Sequence, residues 1–160
     1  MGVGISKIRQ VKVPVTDLRR SVRWYMALLD LELGAEFFEQ GGVRGVLLLD
    51  RDGGYVIALR DREFCASRPH HEGFDLFALG VASPQVLHQL IERCDHLGFK
   101  HGSIQDTGKY GQGLDIPDPD GTVLRFLWDP TPPERWERFL GVEFGADGSM
   151  TPYETPRLAL

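Results

Sequence analysis

Few side chains in this sequence have a type and spacing suited to chemistry, and the most informative is Arg125, which lies inside the apolar run TVLRFLW. An arginine in a buried strand needs a carboxylate, phosphate or carbonyl partner, because an unpaired buried charge is costly. The partner is either an internal acid such as Asp115, or an anionic or enolate-like oxygen of a ligand. The sequence favours neither alternative.

Other polar groups offer weaker candidates. His70 and His71 are adjacent in a polar stretch and could act as ligands or acid–base groups, although neighbouring loop histidines are usually only solvated. Tyr110, in GKYGQG, could stack on a ligand, donate a proton or simply anchor its loop. Cys65 and Cys94 match no zinc or redox spacing, which favours two reduced thiols in a cytoplasmic protein. The sequence contains no nucleophile–base pair and no dinucleotide fingerprint, so it identifies no catalytic residue.

The composition excludes some partners. The 160 residues include 23 acidic and 18 basic side chains, for a formal net charge of −5. That balance argues against nucleic acid, because phosphate binding needs clustered Lys and Arg. No apolar run approaches the ~18 residues of a transmembrane helix, and the first ten residues have no continuous apolar segment of a secretory signal. We therefore expect a cytoplasmic protein without a membrane partner.

A repeat organises the chain. Residues 10–34 and 76–100 each begin with alternating apolar residues, which indicate a strand, and continue with the apolar spacing of a helix. Asp17 and Ser83 are suitable helix N-caps, with Pro84 at the favoured first helical position. We expect Gly34 and Gly98 to end the two helices. Three short β-like runs follow each helix, at residues 35–40, 45–49, 55–59, 100–105, 113–116 and 122–128.

These elements predict an α+β fold of two tandem βαβββ modules. The first module covers residues 1–61 and the second covers 74–129, with the polar, proline-containing stretch 62–73 as a linker. Residues 130–160 form a tail, in which ERWERFLGVEF predicts one short amphipathic helix.

Three segments together resemble the vicinal-oxygen-chelate superfamily, which includes glyoxalases, bleomycin-resistance proteins and extradiol dioxygenases. They are VPVTDLRRSVRWYMALLDLELG, GFDLFALGV and DIPDPDGTVLRFLW, and the resemblance covers residues 6–128. It implies eight strands that curl into a half-open groove with the helices outside. It also implies a homodimer, as in many members.

The resemblance gives the positions of the four metal ligands of the metal-dependent members. They fall on Gln10, Ala58, Leu76 and Arg125. Only Gln10 could coordinate a cation, and Arg125 would repel one. Strand alternation favours Leu76 over Asp75 as the groove residue, because a slip of one residue turns every side chain to the opposite face. We therefore expect no metal and no other cofactor.

The groove is then an apolar hollow with a few polar groups, as small-molecule sites usually are. We expect a metal-free protein that binds a small organic molecule there. The alternatives are a lyase, isomerase or dioxygenase-like enzyme with a non-standard site, and a degenerate member that acts in assembly through its tail. The predicted ligand-binding residues are Gln10, Lys12, Ala58, Leu76, Tyr110 and Arg125.

Overall fold

The computed structural model describes residues 3–158. The chain divides into two compact units, Met1–Trp128 and Asp129–Leu160. The first unit contains both βαβββ modules, and the second contains the tail. In residues 3–158 neither helix is both long and apolar enough to span a bilayer.

The first module is a four-stranded mixed sheet with one helix. Its strand order is β1-β4-β3-β2, in which β1 pairs parallel with β4 and the other pairs are antiparallel. Its elements are β1 (Val11–Val15), α1 (Leu18–Leu29), β2 (Glu32–Glu39), β3 (Gly42–Leu49) and β4 (Val56–Asp61).

The second module repeats this topology with the order β5-β8-β7-β6. The α+β fold of two tandem βαβββ modules, predicted from the sequence, is confirmed. Its elements are β5 (Asp75–Gly80), α2 (Pro84–Leu97), β6 (Gln105–Asp106), β7 (Gln112–Pro117) and β8 (Val123–Trp128).

Both helices begin as predicted, but only one ends as predicted. The Asp17 carboxylate accepts a hydrogen bond from the Arg20 backbone N–H at 2.9 Å, and α2 begins at Pro84 after the N-cap Ser83. Gly98 ends α2 with a left-handed φ of 68°. The prediction that Gly34 ends the first helix is wrong. Helix α1 ends at Leu29, Asp30 takes the left-handed cap with φ 56°, and Gly34 lies inside β2.

The strand predicted at residues 100–105 is also largely wrong. Strand β6 has two residues, which pair with Gly113 and Gln112 of β7. Upstream of β6, the Gly102 N–H donates to the Asp115 carbonyl at 2.8 Å. That bond holds the segment near β7 without forming a ladder.

One apolar core joins the two modules. Side chains from α1, α2 and the helix-facing sides of both sheets form a single buried cluster. The Trp24 and Phe99 rings meet at the boundary, with centroids 5.5 Å apart and planes tilted by 32°. The largest fully buried side chains are Tyr25, Leu28, Leu48, Ile57, Leu59, Leu87, Leu114, Ile116 and Leu124.

The tail forms an antiparallel hairpin. The short helix predicted in ERWERFLGVEF is wrong: a 3-10 turn at Pro133–Arg135 is followed by β9 (Gly141–Phe144), which pairs with β10 (Met150–Tyr153). Gly141 begins β9, where a Cβ would collide with the Tyr153 ring, so the backbones of the hairpin approach closely there. The apolar spacing of the sequence did not indicate that β9 and β10 pair.

Candidate functional site

Each sheet has one face against the helices and one outer face. In the first sheet Val13 and Leu59 are paired in register and belong to the core. Because side chains alternate along a strand, the neighbouring pair, Lys12 and Ala58, faces outward. Lys12 is exposed and Ala58 is buried. Arg60 lies on this face too, where it pairs with Glu39 and donates to the Phe64 carbonyl at 3.2 Å.

Arg125 occupies the outer face of the second sheet and is held by two carboxylates. Its Nε and Nη2 donate to the two oxygens of Asp115, each at 2.9 Å, in a bidentate pair. Its Nη1 lies 2.5 Å from Asp75 Oδ2. The hydrogen bonds to Asp115 raise the pKa of the Arg125 guanidinium above its ordinary value. The internal partner foreseen as one alternative, Asp115, is therefore present.

A register shift in β5 brings Asp75 to Arg125. Asp75 pairs with Val123, but the next pair is Phe77 with Leu124, so Leu76 is the extra residue. Leu76 packs against the core, while the Asp75 carboxylate reaches Arg125 on the outer face. The regular alternation that favoured Leu76 over Asp75 as the groove residue does not hold at this position.

Comparison with known proteins decides the family. The family model of the Glyoxalase/Bleomycin resistance protein/Dioxygenase superfamily matches residues 7–126, which include both modules. The chain belongs to this superfamily. Among curated protein sequences, none matches the chain significantly.

Solved structures of the superfamily share the fold. An antibiotic-binding protein, TnmS3 from Streptomyces sp. CB03234, is 18% identical with a TM-score of 0.65, over 80% of this chain and 99% of that one. A glyoxylase/bleomycin resistance protein/dioxygenase domain from Frankia sp. EAN1pec is 23% identical with a TM-score of 0.68, over 82% and 98%. The fosfomycin resistance protein FosX from Listeria monocytogenes is 16% identical with a TM-score of 0.62, over 82% and 98%.

The residues present do not fit the divalent cation of the superfamily's metal-dependent members. At the positions that the resemblance assigns to two of the ligands, the Ala58 side chain has no donor atom and Arg125 carries a positive charge, which repels a cation. The nearby carboxylates of Asp75 and Asp115 are already bonded to that guanidinium. Within residues 3–158 there is no group of three or more His, Cys, Asp or Glu side chains placed to hold an ion.

The remaining candidates are more scattered. Gln10 is half-buried just before β1. Tyr110 ends a 3-10 turn, and its buried hydroxyl has no hydrogen-bond partner in residues 3–158. His70 Nδ1 contacts the Arg62 guanidinium, whereas the His71 ring lies 6.3 Å from that of Phe74. The structure thus groups Lys12 with Ala58 on one sheet and Arg125 with two acids on the other.

Sequence reasoning missed two polar groups on these outer faces. Arg60 is two residues beyond Ala58 on β4, so strand alternation carried one step further would have found it. Asp75 was set aside because alternation placed it on the opposite face. Its position depends on the register shift, for which the sequence has no signal.

Proposed function

We propose that this superfamily member binds a small organic molecule on the outer face of its second sheet, without a metal ion. The observation that carries the proposal is the Arg125 cluster, by which we mean Arg125, Asp75 and Asp115. At a position that the resemblance assigns to a metal ligand, this cluster has the cation Arg125 held between the acids Asp75 and Asp115. The Arg125 side chain remains 38% exposed, so a ligand has access to it.

The charges of the Arg125 cluster favour a neutral or cationic ligand. One guanidinium faces two carboxylates, which leaves an excess of negative charge. A guanidinium has five N–H donors, and the contacts with Asp75 and Asp115 use three of them. The other donors suit a carbonyl or hydroxyl of a ligand whose positive group lies near the carboxylates. The antibiotic-binding protein and the fosfomycin resistance protein of similar fold support a role in binding or resistance.

We further propose a homodimer in the cytoplasm. Each outer sheet face exposes a large apolar side chain, Phe37 at 48% on the first and Leu127 at 41% on the second. A second copy packed against Phe37 and Leu127 would remove these two side chains from water. The two free cysteines, of which Cys94 is buried, suit a reducing compartment. Sedimentation equilibrium tests the dimer, and a purely monomeric species at micromolar concentration would contradict it.

The experiment for binding has two parts. Elemental analysis of the protein, purified without chelators and then exposed to nickel, zinc, manganese and iron(II), is expected to find no stoichiometric ion. A tightly bound stoichiometric ion would overturn the proposal and would favour metal-dependent lyase or dioxygenase chemistry instead.

The second part is calorimetric screening of matched cationic, neutral and anionic organic molecules. We expect binders among the first two classes. Arg125→Gln should weaken them about tenfold or more, since hydrogen bonds to a charged group contribute ~1.5–3 kcal/mol. The control Arg51→Gln removes an exposed arginine that pairs with Glu32 and should leave affinity unchanged. Binding confined to anions, or unaffected by Arg125→Gln, would contradict the proposal.

A further inference from the structure

Two adjoining cavities lie beside the helices, away from the outer sheet faces. Their volumes are about 750 and 530 Å³, which is the size range of small-molecule sites. They share four lining residues and therefore adjoin, and we name the two together the helix-side cleft. The shared residues are Arg20, Trp24, Phe99 and Pro119. The cleft thus lies between α1, the segment after α2 and the turn before β8.

The floor of the cleft is aromatic. Trp24 is 7% exposed and packs edge-to-face on Tyr25, with ring centroids 4.9 Å apart. Phe99 lies beside Trp24, and Ala27 and Pro119 extend the apolar surface. An aromatic floor favours an aromatic ring in the ligand, which can stack or lie edge-on against it.

The rim of the smaller cavity is cationic. It is lined by Arg19, Arg20 and Arg23, against one acid, Asp17. The Asp17 carboxylate accepts the Arg20 backbone N–H as the cap of α1. Arg20 pairs with Asp120, but no ion pair in residues 3–158 uses Arg19 or Arg23. In a chain with net charge −5, this is a local excess of positive charge.

The larger cavity adds a further cation and three acids. Lys100 forms no ion pair within residues 3–158. Of the acids, Asp118 accepts the Tyr25 hydroxyl and Asp120 accepts the Thr16 backbone N–H and Arg20. Glu72 is the third. An anion is therefore best placed at the arginine rim of the smaller cavity, away from these acids.

We propose that the helix-side cleft is a second binding site, for a small aromatic anion such as an aromatic carboxylate, sulfonate or phosphate ester. Its ring packs on Trp24 and Phe99, and its anionic group accepts hydrogen bonds from Arg19 and Arg23. This site differs from the Arg125 cluster in place and in charge, since that cluster favours a neutral or cationic ligand.

The test uses 2-naphthoate as the probe and its neutral analogue 2-naphthamide as the chemical control, both titrated by calorimetry at low salt. We expect saturable binding of the anion and binding of the amide weaker by about tenfold or more. The double variant Arg19→Gln/Arg23→Gln should lose about tenfold or more in affinity for 2-naphthoate. The control Lys7→Gln/Arg9→Gln removes the same charge from the exposed segment before β1 and should bind like the unaltered chain.

A third variant separates loss of binding from loss of folding. Ala27→Phe fills the floor of the cleft without removing a charge, and should abolish binding while circular dichroism shows an unaltered fold. Arg125→Gln should bind 2-naphthoate like the unaltered chain. Failure of the proposed site at the Arg125 cluster would therefore leave the proposed site in the helix-side cleft unaffected. Equal binding of 2-naphthamide, undiminished affinity in the Arg19/Arg23 variant, or NMR shifts centred on β8 rather than Trp24 would each overturn the site.

Discussion

At the residue scale, a buried hydrogen bond connects the two modules. The Tyr25 hydroxyl donates to Asp118 Oδ2 at 3.0 Å, while Asp118 Oδ1 accepts two backbone N–H groups at 2.9 Å. Burial raises the pKa of Tyr25 well above its ordinary value, and the Asp118 carboxylate raises it further. Burial also raises the pKa of Asp118, although the bond from Tyr25 opposes that shift.

Removal of this hydroxyl tests its role. Tyr25→Phe leaves Asp118 Oδ2 buried without its donor, and we expect a loss of about 1–3 kcal/mol in the free energy of unfolding. Urea denaturation at neutral pH measures it. Tyr110→Phe is the matched control, because the Tyr110 hydroxyl has no partner in residues 3–158 and its removal should be nearly neutral. An equal loss in the two variants would contradict the assigned role.

The same variant has a pH signature. Between the unfolded pKa of about 10 and the higher folded pKa, the folded state binds more protons than the unfolded state. Stability therefore falls as pH rises above 10, by up to ~1.4 kcal/mol per pH unit for each such tyrosine. Tyr55, with its pKa raised by burial to about 12, contributes the same trend. In Tyr25→Phe the free energy of unfolding should fall less steeply between pH 10 and 11. An unchanged slope would contradict the raised pKa of Tyr25 in the folded state.

The surroundings of Arg125 show how far sequence can predict a site. Period-2 alternation places Asp115 and Arg125 on one face of neighbouring strands, so their pairing could be foreseen as an alternative. The contact of Asp75 with Arg125 could not be foreseen, because the orientation of Asp75 depends on a register shift set by the pairing of two strands. Local patterns predict which residues share a face only where the strand stays regular.

At the element scale, the two helix ends differ in strain. Asp30 holds the left-handed conformation at the end of α1, whereas Gly98 holds it at the end of α2 without a Cβ penalty. An acid at a helix C-terminus also faces the negative end of the helix dipole. Asp30→Gly should therefore stabilise the chain by about 0.5–1 kcal/mol, and Gly98→Ala should destabilise it by about 1 kcal/mol. Thermal and urea unfolding of both variants measure the difference. A loss in both would show that the contact of Asp30 with Arg93 outweighs the strain.

The errors in the prediction of the tail and of β6 share a cause. The two βαβββ modules follow from local signals repeated along the chain, and these signals were sufficient. The tail hairpin and the short β6 depend on which backbone lies alongside. Residues 141–144 pair with 150–153, and residues 105–106 pair with 112–113. Apolar spacing carries no information about such partners. A helix was therefore predicted in the tail where a hairpin forms, and a strand was predicted at residues 100–105 where β6 has only two residues.

At the scale of the whole molecule, polar contacts of one turn hold the modules together. Asp120 accepts the Thr16 backbone N–H at 2.8 Å and Arg20 Nη2 at 3.1 Å, and lies 3.9 Å from Arg62 Nη2. Arg62 is 4% exposed and also donates to the carbonyls of Pro14 and Pro69. The hydrogen bonds of Asp120 with Thr16 and Arg20 join residues 104 and 100 positions apart, and no local pattern indicates them.

Loss of the Asp120 carboxylate should therefore weaken the whole unit. Asp120→Ala removes the acceptor of the Thr16 N–H and leaves the buried Arg62 without a carboxylate. We expect a loss of about 2–4 kcal/mol in the free energy of unfolding, because uncompensated buried charges are expensive. Asp52→Ala is the matched control, since Asp52 lies exposed in the corresponding turn of the first module and should cost under ~0.5 kcal/mol. Urea unfolding followed by fluorescence and circular dichroism measures both variants. The two modules share one core, so we expect the two probes to report coincident transitions. A loss in Asp120→Ala no larger than in the control would show that the apolar core alone holds the modules together.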